Sequence, residues 1–284
     1  MKIRSYAKIN IGLRILGKRP DGYHELETLF QQIDFCDDLF FEPLPSHEII
    51  LTCNDPACPT DDRNLIVRAA NLLKPFAKNE HTGCRIHLIK RIPMGGGLGG
   101  GSSNAAVTLK ALNELWNCRI SHDELAALAA TIGADAAFFI YGGLALGEGK
   151  GERITPLPHR PDYFGVLLIP DFSIATADVY RKLNLSLTLI MKSSKFKSFA
   201  SNLPPFAEWK SLFTNDLEIV VLRDFPILRQ QVELFYQLGA FYAALSGSGS
   251  SVFGLFSSQE AAETAAEKLR NTGARTVVFR PVFT

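Results

Sequence analysis

The chain has 284 residues, 46% of them hydrophobic and 21% charged, with a formal net charge of +1. This is an ordinary globular profile, long enough for a buried core and two domains. It calls for no acidic partner, and without a basic stripe nothing points to nucleic acid. The five cysteines (Cys36, Cys53, Cys58, Cys84, Cys118) are odd in number and lack C-x-x-C spacing. They read as reduced thiols of a cytoplasmic protein, not as a disulfide frame or a zinc site. The opening MKIRSYAKINIG lacks the apolar region and cleavage site of a signal peptide.

In chain order, Ile9, Ile11, Leu13 and Ile15 interleave with Lys8, Asn10, Gly12 and Arg14. A period of two predicts a half-buried strand with Lys8 and Asn10 on the face opposite the isoleucines. PDG at 20–22 is a turn signal, and GYHELETLFQQID returns as a second strand. NLIVRAANLLKPFA reads as a helix from about Asn64, and RIHLIKRI at 85–92 as a strand running into Pro93. Then come the glycines of PMGGGLGGGSSNAAV and an amphipathic helix marked by Ala106, Leu109, Leu112 and Trp116. Residues 126–147 are long and mostly apolar, but Asp135 lies near their centre and four glycines interrupt them. An acid there costs about 2.5–3.5 kcal/mol on insertion scales, so a membrane span is rejected. Ser121 and Glu124 form a capping box for a helix that Gly133 ends, and a second short helix follows.

Beyond residue 155 the texture changes. PLPHRPDYFG is a connection and YFGVLLIP a short strand. Residues 184–206, basic and serine-rich, read as a mobile excursion with some helix. FPILRQQVELFYQLGA is a helix closed by Gly239, and FYAALSGSGSSVFGLF a strand, a small-residue turn and a strand. Ser257 and Glu260 box the start of QEAAETAAEKLRN, and RTVVFRPV is a last strand. Alternating elements of this kind indicate α+β or α/β packing.

Six glycines fill seven positions between a strand and a helix. Glycine in a regular element costs roughly 0.5–1 kcal/mol relative to alanine, so the run needs a reason. Glycines leading into a helix N-terminus let backbone N–H groups converge on an anion, and Ser102 and Ser103 add hydroxyls. A phosphate cradle is the simplest reading. A P-loop fails for want of the lysine that should follow the glycines. The G-x-G-x-x-G at Gly95, Gly97 and Gly100 lacks an acid at a strand end some 20 residues on, since Asp123 and Glu124 begin a helix.

The loop resembles that of the GHMP kinases, the superfamily of galactokinase, homoserine kinase and mevalonate kinase. AKIN at 7–10, DGYHELETLFQ at 21–31, DDRNLIVRAA at 61–70, KRIPMGGGLGGGSSNAA at 90–106 and GAD at 133–135 are similar to the 4-diphosphocytidyl-2-C-methyl-D-erythritol kinase family. The C-terminal half matches more loosely, through LSGSGSSVFGLF at 245–256. The resemblance implies an α+β, two-domain GHMP kinase fold. Residues 1–157 would form an S5-like N-terminal domain and 158–284 a smaller C-terminal α/β domain. It also implies transfer of the γ-phosphoryl of ATP to the 2-hydroxyl of the diphosphocytidyl substrate, with Mg²⁺.

Site residues follow from the same resemblance. Lys8 and Asp135 stand where the family has its catalytic pair; on sequence alone they also fit a solvated strand lysine and a helix cap. Pro93, Met94, Gly95, Gly96, Gly97, Leu98, Gly99, Gly100, Gly101, Ser102 and Ser103 carry over as the ATP phosphate loop. Asn64, Leu65 and Ile66 match the segment lining the adenine pocket, and equally suit a plain helix start. Asn10, Tyr23 and His24 match residues around the sugar and cytosine of the substrate, and Tyr23 and Tyr180 suit base stacking. Lys90 is assigned to a substrate phosphate, with a solvated strand-end lysine as the alternative. Ser246, Gly247, Ser248 and Gly249 form a second backbone nest. Magnesium ligands are undetermined, with Ser103 the candidate; His47, His81, His87, His122 and His159 have no metal-like spacing. The family's usual Val-Pro after the aspartate is replaced by Ala136-Ala137, which puts the pose of Asp135 in question and calls for compensation by packing. The expected partner is a small molecule, with no nucleic acid or membrane; the sequence leaves the oligomeric state, monomer or weak dimer, undetermined.

Overall fold

The computed structural model describes residues 1–158, 160–184 and 196–283. His159 and the middle of the 184–206 stretch lie outside these. The chain divides into two compact units, each assembled from several segments.

The first unit holds 1–7, 35–92 and 99–142. It takes the start of β1 (Lys2–Lys18) and the end of β2 (His24–Leu44). Asp38–Leu44 of β2 pairs antiparallel with β4 (Gly83–Ile89), and β4 pairs parallel with β3 (Ile49–Cys53). Four helices complete it: α1 (Leu65–Leu73), α2 (Gly100–Leu115), α3 (His122–Ile132) and α4 (Ala136–Tyr141). Asn64 caps α1, its side-chain oxygen accepting from Ile66 N. Ser121 and Glu124 form both hydrogen bonds of the expected capping box on α3, and Gly133 ends that helix. Ile66, Ala69, Leu73, Leu109, Leu112 and Phe138 have no exposed surface and form the core. Among the described residues no helix is long and apolar enough to cross a membrane.

The second unit holds 8–34, 93–98 and 143–284. Leu26–Gln31 of β2 pairs antiparallel with β5 (Leu144–Gly149), and β5 with β6 (Arg153–Pro156). A second, antiparallel sheet is made of β7 (Phe164–Ile169), β8 (Tyr242–Leu245), β9 (Val252–Phe256) and β10 (Arg275–Phe279), in the order β10-β7-β9-β8. Around it lie α5 (Thr176–Asn184), α6 (Phe206–Leu212), α7 (Glu218–Asp224), α8 (Pro226–Gln237) and α9 (Gln259–Leu269). Leu13, Leu168, Val220, Leu228, Phe235, Leu245 and Phe256 belong to one buried cluster.

Two local expectations need correcting. The first strand is not half-buried: Lys8 and Asn10 are as enclosed as the isoleucines, at 3% and 2% exposure. Alternation told which residues share a face, but both faces here are covered. The cap of α9 is Ser258, whose hydroxyl accepts from Ala261 N, and not Ser257. In a Ser-Ser pair only the geometry decides which residue is the last extended one. The short helices α5 and α7 each bury two apolar side chains, Val179 with Leu183 and Val220 with Val221, and α6 buries Trp209.

At the end of β8, Glu218 Oε1 accepts from Leu245 N at 2.7 Å. Burial pushes the Glu218 carboxyl up to about 7. A carboxyl raised in the folded state favours folding below its unfolded value near 4.5, and that contribution is lost as pH rises through 7. Glu218→Gln keeps the acceptor and removes the titration. The variant is expected to be more stable than wild type above pH 7, by up to roughly 3 kcal/mol, and equal to it near pH 4. Urea unfolding across that range checks this; parallel pH profiles would refute it.

Candidate active site

In the first unit the glycine run enters α2. Gly99 is the N-cap, in the left-handed region at φ 69, and no side chain caps the helix. The opening N–H groups of α2 are therefore the kind that hold an anion. Ser103 is 1% exposed and its Oγ accepts from Ser5 Oγ at 2.8 Å. That bond fixes the Ser103 hydroxyl in place and leaves it a lone pair. Ser102 is the half-buried hydroxyl, and a Cβ at Gly133 would lie 3.6 Å from its Oγ. The loop's serine thus stands beside the GAD turn.

Asp135 occupies the N-cap position of α4 in right-handed geometry, at φ −75 and ψ −12, and makes no capping hydrogen bond. A simple helix cap is therefore not its role. Ala136 and Ala137 are 0% and 2% exposed, so packing holds the start of α4 where a proline would have fixed it by covalent geometry.

The Lys90 side chain is buried and paired, which removes the solvated strand-end alternative. Its Nζ donates to Asp37 Oδ2 at 2.6 Å, with side-chain exposures of 5% and 0%. A Cβ on Gly100 would lie 3.1 Å from that Nζ. Asp37 also accepts from Arg91 N, Ile92 N and Asn104 Nδ2. Ile66 has no exposed surface and backs the α1 segment from inside, while Leu65 approaches Gly101.

In the second unit Lys8 N donates to Leu98 O, and Lys8 Nζ to Asn10 Oδ1 at 2.6 Å. Asn10 Nδ2 donates to Thr28 Oγ1, which donates to Gly12 O. The ammonium is thus fixed by a relay of buried polar groups. A Cβ on Gly247 would lie 3.2 Å from Asn10 Oδ1 and 3.5 Å from Lys8 Nζ, so the second nest stands against this relay. That nest also meets the first half of the glycine loop. Ser246 Oγ donates to Gly97 O and Ser251 N to Gly96 O. Asn215 Nδ2 ties the carbonyls of Leu245 and Gly247. Ser251 Oγ is buried without a hydrogen-bond partner among the described residues, and a Cβ on Gly96 would lie 3.1 Å from it. An orphaned hydroxyl beside a glycine loop suits a phosphate oxygen.

His24 is buried and stacks on Tyr180, with ring centroids 5.0 Å apart and planes at 27°. Tyr23, 57% exposed, lies instead under Lys150 Nζ at 4.8 Å. Asp37, Thr28 and Asn215 were missed in the sequence. Each acts through contacts distant in the chain, and only the DD pair of β2 hinted at the first.

The GHMP kinases N terminal domain matches residues 64–143, and the GHMP kinases C terminal domain residues 197–275. A 4-diphosphocytidyl-2-C-methyl-D-erythritol kinase of Prosthecochloris aestuarii is 42% identical, covering 96% of this chain and 94% of its own. That of Marinobacter nauticus is 41% identical over 91% and 86%. The chain belongs to the 4-diphosphocytidyl-2-C-methyl-D-erythritol kinase family of GHMP kinases. A crystal structure of 4-(cytidine 5'-diphospho)-2C-methyl-D-erythritol kinase superposes with a TM-score of 0.84 at 36% identity, covering both chains completely. Mevalonate kinase from Methanococcus jannaschii, at 18% identity and a TM-score of 0.73, shares the fold, covering 99% of this chain and 98% of its own.

Within this GHMP kinase loop the glycines are not equivalent. A Cβ on Gly97, at φ 76, would lie 2.1 Å from Ser246 O, whereas Gly101 is exposed with only Leu65 near, at 3.7 Å. Gly97→Ala is expected to destabilise the fold by roughly 1–3 kcal/mol. Gly101→Ala should raise stability by roughly 0.5–1 kcal/mol, as in any exposed helix position. Urea midpoints of the two variants check this; equal midpoints would refute the distinction.

Proposed function

We propose that the chain transfers the γ-phosphoryl of ATP to the 2-hydroxyl of 4-diphosphocytidyl-2-C-methyl-D-erythritol, a step of the non-mevalonate route to isoprenoid precursors. The substrate oxygen forms the new bond to phosphorus, the bond to the bridging oxygen of ADP breaks, and the hydroxyl proton passes to the Asp135 carboxylate. Lys8 steadies the negative charge on the group in transfer. Pro93–Ser103 hold the phosphates, Asn64–Ile66 support the adenine, and Asn10, Tyr23, His24 and Tyr180 receive the cytidine end. Residues 1–157 are the proposed N-terminal family region and 158–284 the C-terminal one.

The observation that carries this reading is the state of Lys8: an ammonium 3% exposed, bonded to Asn10 and braced through Thr28. A strand lysine held in this way costs desolvation and serves no surface. A preorganised charge is what stabilises a transition state, because it needs no reorganisation during the reaction. The stack of His24 on Tyr180 supports the cytidine end, since histidine can donate and accept along a base edge.

Among the described residues there is no group of three or more His, Cys, Asp or Glu to hold a metal. Kinase magnesium uses one or two protein ligands and otherwise phosphate oxygens and water, so the residues present fit it. Ser103, with Ser102 beside it, is the hydroxyl that would hold it, and the ion would neutralise phosphate charge.

The deciding experiment compares ATP-dependent ADP release with the diphosphocytidyl substrate, mevalonate and homoserine. Turnover on either of the latter alone would overturn the assignment. Asp135→Asn and Lys8→Met should each keep both substrates bound and lose about 10²–10⁴-fold in single-turnover rate. The double variant should lose less than the product of the two. Near-wild-type transfer in Asp135→Asn would move the proton acceptor elsewhere. His24→Ala should weaken the diphosphocytidyl substrate by about 1–3 kcal/mol while leaving ATP binding within twofold. Equal losses by calorimetry would remove its role in reading the base.

A further inference from the structure

We propose that Asp37 is a positioning residue of the phosphate loop, anchoring the chain on both sides of the glycines and holding Lys90 at the loop's edge. This rests on the reading of residues 93–103 as the ATP phosphate loop. Asp37 lies on β2 with no exposed surface. Its Oδ1 accepts from Arg91 N at 2.7 Å and Ile92 N at 2.8 Å, the last two residues before the loop. Its Oδ2 accepts from Asn104 Nδ2 at 3.0 Å, in the first turns of α2 after the loop. The same oxygen accepts from Lys90 Nζ at 2.6 Å.

One carboxylate therefore joins the strand that delivers the glycine run to the helix that receives it. Asn104 Nδ2 also donates to Ser5 Oγ, which donates to Ser103 Oγ, extending the anchor to β1 and to the loop's own serine. The intervening residues are mostly glycine and have wide conformational freedom. A flexible segment binds an anion well only if its ends are fixed, because ordering it on binding weakens affinity. The charge matters as well as the contacts. Lys90 Nζ lies 3.1 Å from where a Cβ of Gly100 would stand. Asp37 holds that ammonium at one place beside the helix N-terminus while meeting four donors in all. Neither the glycine pattern nor the assigned site residues include this carboxylate.

Asp37→Asn preserves shape and can still accept from Arg91 N and Ile92 N. Its amide, however, opposes the donors of Lys90 and Asn104. The expected result is at least a tenfold rise in the dissociation constant for ATP and in its KM, with kcat at saturating ATP within threefold of wild type. Calorimetric affinity for the diphosphocytidyl substrate should stay within twofold. A general structural defect would lower binding of both substrates and the active fraction together. Should Asp37→Asn not fold, Asn104→Ala removes only the helix-side tie and should raise the ATP dissociation constant by a smaller factor of threefold or more, with the same selectivity. Lys90→Gln in the Asp37→Asn background replaces the opposed ammonium with an amide and should recover part of the ATP affinity. Unchanged ATP affinity in the folded variants, or equal loss for both substrates, would overturn the proposal. Failure of the underlying loop reading is distinguishable, because wild type itself would then bind no ATP.

Discussion

A backbone laid directly on another backbone leaves no room for a side chain, and this constraint governs the second unit. Gly97 lies against the carbonyls of Ser246 and Gly249. The contact is completed by hydrogen bonds from Ser246 Oγ and Ser251 N to the loop carbonyls. Gly95, Gly97, Gly247 and Gly249 all have positive φ, where a Cβ is strained whatever the space. The glycines thus serve two purposes. Some allow one loop to sit on the other, and others leave N–H groups open at the head of α2. Phosphate binding alone would have required fewer of them.

Two buried charged groups follow from how β1 and β2 are covered. Lys8 and Asp37 each lie on a strand with little or no exposed surface. Removing one partner of such a group leaves a buried charge uncompensated, a larger loss than the pair's net contribution. Hydrogen bonding to buried partners is the remedy in both. Asp37 meets Lys90, two backbone amides and Asn104; Lys8 meets Asn10, which is braced through Thr28. Satisfied networks of this kind hold one geometry, because any displacement breaks several bonds together. That suits groups whose task is to keep a charge or a loop in place.

Much of this was legible in the sequence because it is local. The capping box at Ser121 and Glu124, the helix opening at Asn64, the strand–glycine–helix order and the turn between β8 and β9 depend on neighbours within a few residues. What could not be read depends on partners far along the chain. The period of two in β1 identified its faces but not that both are covered. That Lys90 is buried and paired is invisible in the sequence, because its partner, Asp37, lies 53 residues earlier. The hydroxyl that bonds Ser103 belongs to Ser5, 98 residues away. Tyr180 was placed only through the looser half, and its stacking on His24 is a tertiary contact with no signature in spacing.

The Ala136-Ala137 departure shows how a lost local restraint is replaced by tertiary ones. A proline would fix the first turn of α4 through its own ring; two alanines impose nothing. Their small side chains are instead fully enclosed, and α4 packs on both α2 and α3. From α2, Lys110 Nζ reaches across to donate to Phe139 O at 3.0 Å. Burial pulls the Lys110 ammonium down to about 8. Below that pH its positive charge lies against the carbonyl end of α4, where the helix dipole is negative. The helix bearing Asp135 at its start is thus held near its end by the helix that opens on the glycine loop. Packing and one hydrogen bond thus tie α4, and with it the aspartate at its start, to α2 without the restraint of a proline ring.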